Sequence, residues 1–81
     1  MAELRRIETN VLILYGTSAC HLCEIAADLL RDESLEFEEV DVSESDVLFE
    51  RYGLTIPVLK REDDAELNWP FDAARLAAFV S

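Results

Sequence analysis

Five unbroken apolar residues, "VLILY" at 11–15, are followed within five residues by a cysteine pair with C-x-x-C spacing, Cys20-His21-Leu22-Cys23. A β-branched and aliphatic run without polar interruption reads as a strand buried on both faces, and so as part of a sheet with helices on each side. Gly16-Thr17-Ser18 are turn residues that end it. Leu22, Ile25, Ala26, Leu29 and Leu30 then recur at three- and four-residue spacing, which predicts an amphipathic helix over residues 21–32. The cysteines therefore fall at a strand-to-helix turn, and the rest of the chain has to be built around that unit.

Downstream, "LEFEEVDV" at 35–42 predicts a second strand, with Leu35 and Phe37 alternating before Val40 and Val42 shift the phase. Its acids suit a sheet edge, where charge discourages edge-to-edge pairing. Ser43 or Ser45 can cap a second helix, with acids in its first turn to suit the helix dipole. Gly53 ends that helix and is read as a left-handed C′ residue. "IPVLK" at 56–60 and "AELNW" at 65–69 predict a hairpin through the turn Arg61–Asp64. "FDAARLAAFV" predicts a last helix, with Asp72 at its start and Phe71, Ala74 or Arg75, Ala78 and Phe79 along one side. The order is β-α-β-α-β-β-α, an α/β class in which a parallel pair and a hairpin make a four-stranded mixed sheet flanked by three helices. With 81 residues and neither repeats nor linkers, the chain reads as a single domain over 1–81.

Eighteen acidic residues against seven basic ones give a formal charge of −11. That excludes nucleic acid as an expected partner, because its phosphates are neutralised by Lys and Arg. Anionic membrane surfaces are disfavoured for the same reason. The five-residue apolar run is shorter than a signal-peptide core of about 7–15 residues or a membrane span of about 20. The expectation is a cytoplasmic monomer. In that compartment thiols are kept reduced, and a C-x-x-C pair is redox-active or metal-binding rather than structural.

A sulfur at the start of a helix faces unpaired N–H groups and the positive end of the helix dipole, both of which favour thiolate over thiol. Only the thiolate is a nucleophile, so Cys20 is the candidate attacking residue. Cys23, one turn further on and deeper, is the candidate that resolves a mixed disulfide. His21, beside Cys20, is a candidate for lowering the thiol pKa when protonated. Structural zinc needs four Cys or His ligands, and one histidine and two cysteines do not supply them, so no metal and no cofactor is assigned. Two other readings stay open: a metal or iron–sulfur module bridging two chains, and a binding protein whose thiols no longer turn over.

With "CHLC" after a buried strand and "YGLTIPVL" downstream, the chain resembles the thioredoxin-like superfamily, and within it the glutaredoxin-like group of small bacterial proteins. The likeness covers residues 11–80, and its specific parts are "CHLC" and "TIP". It implies a thioredoxin-like fold and thiol–disulfide oxidoreductase activity on a disulfide-bearing protein or small thiol substrate. It also implies that Pro57 is cis and that Thr55, Ile56 and Pro57 bind substrate, with the Ile56 backbone pairing like an added strand. The chain departs from glutaredoxins at defined places. Cys-His-Leu-Cys replaces their Cys-Pro-Tyr-Cys, and Thr17 stands where they carry a lysine for a glutathione carboxylate. "NWPFD" replaces their Gly-Gly pair, with Asp72 alone matching as an acid at the start of the last helix. These losses, in a chain of charge −11, argue against tight binding of anionic glutathione. Trp69, in the vacated stretch, is read as capping the core beneath the last helix rather than lining a groove.

Overall fold

The computed structural model describes residues 12–81. Val11 and the ten residues before it lie outside the described residues. Four strands, β1 (Leu12–Gly16), β2 (Phe37–Asp41), β3 (Val58–Lys60) and β4 (Glu66–Asn68), form one sheet in the order β2-β1-β3-β4. Three helices, α1 (His21–Asp32), α2 (Asp46–Tyr52) and α3 (Ala73–Val80), flank it, with a short 3₁₀ turn at Val42–Glu44. β1 pairs with β2 in parallel and with β3 antiparallel, and β3–β4 is the expected hairpin. This is the α/β arrangement of a thioredoxin-like fold.

The period of two along β1 sorts the core into two halves. Leu12 and Leu14 pack with Ala26, Ala27 and Leu30 of α1, Leu59 of β3, and Phe71 and Leu76 at α3. Tyr15 points the other way and packs with Val42, Tyr52 and Val58, joined by Ile13, Val40, Leu48 and Ile56. So α1 and α3 cover one face and α2 the other, as an uninterrupted apolar strand requires. The phase shift in "LEFEEVDV" has the same origin: Leu35 and Phe37 pack into the first half, Val40 and Val42 into the second.

Ser45 is the cap of α2, its Oγ accepting from Leu48 N at 3.3 Å. Asp72 caps α3 by accepting from Arg75 N at 2.9 Å. Two expectations are corrected. Gly53 is not left-handed: its φ of −56° and ψ of −27° continue the helix. Glycine is needed there because a Cβ would stand 2.5 Å from the Phe49 carbonyl oxygen. In α3 the fully buried residue is Leu76, whereas Ala74, Arg75 and Ala78 are exposed. Phe71 reaches the core from the segment before the helix, so the inward side of α3 is set by the packing of Leu76 and not by spacing from Phe71.

The second half of the core is held by aromatic stacking and one charged hydrogen bond. The Tyr15 and Tyr52 rings stack with centroids 4.3 Å apart and planes 14° from parallel. The Tyr52 hydroxyl donates to Glu66 Oε2 at 2.6 Å, tying α2 to β4. Burial first, then this hydrogen bond, raises the Tyr52 pKa from 10 to about 12. Because the folded pKa is the higher one, this contribution is fully present below pH 10 and is lost as pH rises through 12. We expect Tyr52→Phe to cost about 1–2 kcal/mol at neutral pH and to flatten the alkaline fall in stability. Urea melts of both proteins across that pH range check it.

Candidate active site

β1 delivers the chain to the active-site turn, and α1 begins immediately after it. Cys20 is the N-cap of α1, in extended conformation, with φ −118° and ψ 109°. Its Sγ accepts from Cys23 N at 3.1 Å, taking the place of the Ser or Asp oxygen that usually caps a helix. Its carbonyl accepts from Glu24 N at 3.2 Å. Cys20 and Cys23 form a disulfide, with Cα atoms 5.2 Å apart. Cys20 is partly exposed, whereas Cys23 retains only 7% of its surface. His21 opens the helix and is exposed, next to Cys20 in sequence.

Gly16 makes this geometry possible. It lies on the α1 face of β1, and a Cβ there would stand 3.0 Å from Cys23 Sγ and 3.1 Å from Cys23 Cβ. Those are tighter than ordinary contacts, so any side chain at 16 pushes the buried cysteine away. Gly16→Ala is therefore expected to cost about 1–3 kcal/mol through overpacking. Denaturant midpoints of the oxidised and reduced forms measure that loss.

The register places the other predicted residues at the same end of the sheet. Tyr15 pairs with Val58, so Pro57 and Ile56 precede β3 beside the point where β1 enters the cysteine turn. Val58 also pairs with Asn68, which brings Trp69 to Asp72 to that end. Pro57 is buried, Ile56 half-buried and Thr55 exposed, and the Ile56–Pro57 peptide is cis. The Tyr52 carbonyl accepts from Thr55 N at 2.9 Å and from Ile56 N at 3.0 Å. The Ile56 N–H is thus occupied within the chain, and its carbonyl is the group left for strand-like pairing. Trp69 packs on the α1–α3 core, edge-on to Phe71 at 5.0 Å, which is the core role read from the sequence.

A feature that sequence reasoning missed lies on the opposite side of β1. A cleft of about 530 Å³ runs between α1 and β2 and reaches Cys23. Glu24, Asp28 and Arg31 line it from α1, and Glu39 and Asp41 from β2. Arg31 bonds Asp28 at 3.1 Å and Glu39 at 2.8 Å. Asp41 accepts from Ser43 Oγ at 2.7 Å and from Ser43 N at 2.9 Å. These bonds, the hydroxyl's first, hold its pKa below the ordinary carboxylate value, with a smaller contribution from Thr17. Among the described residues no group of three or more His, Cys, Asp or Glu is arranged to hold a metal ion, and no helix is long and apolar enough to cross a membrane.

A strand, a capped C-x-x-C and a partly exposed cysteine over a buried one define a glutaredoxin-like redox module. The family model of the glutaredoxin-like domain (DUF836) matches residues 11–81, and the chain belongs to that family. It is similar to the X-ray structure of the structural-genomics target XcR50 from X. campestris, with 40% identity, a TM-score of 0.80, and coverage of 84% of this chain and 92% of that one. It is also similar to the solution structure of Ne2328 from Nitrosomonas europaea, with 29% identity, a TM-score of 0.77, and coverage of 95% and 98%. No curated protein matches the chain.

Proposed function

We propose that the protein is a thiol–disulfide oxidoreductase working through Cys20 and Cys23. The observation that carries this reading is the N-cap position of Cys20, whose sulfur receives the Cys23 N–H at the positive end of α1. In the reduced protein the same donor and dipole favour the Cys20 thiolate. His21, exposed at the first helical position, adds positive charge beside it when protonated.

The thiolate attacks a substrate disulfide, forming a Cys20 mixed disulfide and releasing one thiol. Cys23, deprotonated, then attacks Cys20 Sγ and releases the second thiol. Two electrons pass from the protein dithiol to the substrate, which leaves the Cys20–Cys23 disulfide. Burial of Cys23 keeps external disulfides from reacting with it first, while its bonding distance to Cys20 makes the second step intramolecular. Thr55, Ile56 and Pro57 flank the substrate, with the Ile56 carbonyl accepting from its backbone. No cofactor enters this scheme.

The rate of Cys20 alkylation in the reduced protein, followed against pH, tests it. The reading expects a midpoint well below the free-cysteine value of about 8.5. A midpoint at or above that value contradicts it.

A further inference from the structure

The segment Thr55–Pro57 hangs from a short helix. α2 has seven residues, too few to be stable alone, so its place over the sheet is set by what it buries. Tyr52, its last residue, is the buried one, with 4% of its surface exposed. Leu48 is partly buried, and the other five face solvent. The position of the substrate loop therefore depends on how firmly Tyr52 is held.

Three parts of Tyr52 reach the loop, β1 and β4. Its carbonyl accepts from Thr55 N at 2.9 Å, from Ile56 N at 3.0 Å and from Thr55 Oγ1 at 3.3 Å, which gathers the turn and leaves the Ile56 carbonyl as the outward acceptor. Its ring stacks on Tyr15, the residue before Gly16 and the register partner of Val58, and Ile56 packs on the same cluster. Its hydroxyl donates to Glu66 Oε2 at 2.6 Å, on the edge strand β4. Phenylalanine would supply the ring and the carbonyl equally well. Only the hydroxyl needs tyrosine, and its bond to Glu66 fixes the far end of the ring whose backbone carries the loop.

We infer that Tyr52 is a positioning residue for substrates that bind as extended peptides, its hydroxyl bond to Glu66 holding the Ile56 carbonyl in place relative to Cys20. The inference rests on the oxidoreductase reading above, and within it on strand-like pairing at Ile56. A small disulfide meets Cys20 and takes nothing from the loop, so the bond separates two classes of substrate. Without it the loop samples more arrangements, and apparent affinity for a peptide falls by the fraction that still fits. The start of α1, which sets the reactivity of Cys20, is untouched.

Pre-reduced protein, freed of reductant, is mixed with hydroxyethyl disulfide or with a peptide whose central cysteine is disulfide-bonded to mercaptoethanol. Each reaction releases two thiols and leaves the Cys20–Cys23 disulfide. Each rate is divided by that of dithiothreitol with the same disulfide, to remove differences in intrinsic reactivity. Wild-type protein should favour the peptide. Tyr52→Phe should lower that preference about fivefold, the factor a hydrogen bond of ordinary strength represents, with the hydroxyethyl disulfide rate kept within about twofold. The pH midpoint of Cys20 alkylation should not move. Glu66→Leu should match Tyr52→Phe, whereas Glu66→Gln keeps an oxygen to accept the hydroxyl and should restore the preference. Val80→Ala loosens the other half of the core and should leave the preference intact. Should Tyr52→Phe fail to fold, as read by circular dichroism, the two Glu66 variants decide. An unchanged preference in the variants that lack the bond overturns the inference, as does an equal fall in both rates or the same fall in Val80→Ala. Glu66→Gln behaving like Glu66→Leu also overturns it, by assigning the effect to charge. If wild-type protein does not favour the peptide, pairing at Ile56 fails and the inference with it. If neither disulfide is reduced, the oxidoreductase reading itself fails.

Discussion

Cys20→Ser should abolish disulfide reduction, leaving the background rate of the buffer, whereas Cys23→Ser should still react once and then stop. The asymmetry follows from position. Cys20 is partly exposed and its Sγ caps the helix, while Cys23 is 7% exposed and packs against Gly16. With Cys23 absent, the Cys20 mixed disulfide has no internal thiol to resolve it and accumulates at one adduct per chain. Intact-mass measurement after mixing with a small disulfide reads both outcomes. An adduct on Cys20→Ser, or equal residual turnover in the two variants, contradicts the assignment of roles.

The largest effect on stability is expected at Leu30. It is fully buried and joins α1 to β1, β3 and α3. Leu30→Ala should cost about 2–5 kcal/mol, combining lost transfer energy with the cavity left behind. That is a large fraction of the roughly 5–15 kcal/mol that holds a domain folded. Leu54→Ala, at a fully exposed position, should change stability by no more than about 0.5 kcal/mol. Urea denaturation of the two variants measures the contrast. Because α1 carries both cysteines, Leu30→Ala should also loosen the positioning of Cys20 over the helix start.

What could be read before folding was whatever depends on local spacing. "VLILY" marked a strand buried on both faces, the three- and four-residue recurrence of Leu22 to Leu30 marked α1, and the step between them put Cys20 at a helix start. Ser45, as one of two candidate caps with Ser43, and Asp72, as the acid at the start of α3, were readable because capping chemistry is local. Gly53 misled because two different needs select glycine, a left-handed φ and a close approach, and only the folded chain shows the Phe49 carbonyl above it. Leu76 was missed because several small apolar residues in α3 allow more than one inward face, and packing against Leu59 and Leu30 decides among them.

The acidic cleft was hidden for another reason. In a chain with eighteen acids, Glu24, Asp28, Glu39 and Asp41 look like part of a solvated surface. Their signal lay in combining two periods: a polar i, i+4, i+7 stripe on α1 facing the Glu39 and Asp41 parity of β2. Neither period is informative until the parallel pairing of β1 and β2 places one element over the other.

The central claim, that Cys20 and Cys23 are a reversible two-electron centre, is tested most directly by equilibrating the protein in thiol–disulfide buffers of graded potential. Free and bonded cysteines are then counted after acid quenching. The account predicts one two-electron transition, with a midpoint in the range of roughly −270 to −120 mV spanned by C-x-x-C oxidoreductases, and its loss in Cys20→Ser. A chain that shows no such transition, or that purifies anaerobically with stoichiometric metal held by the two cysteines, would contradict it.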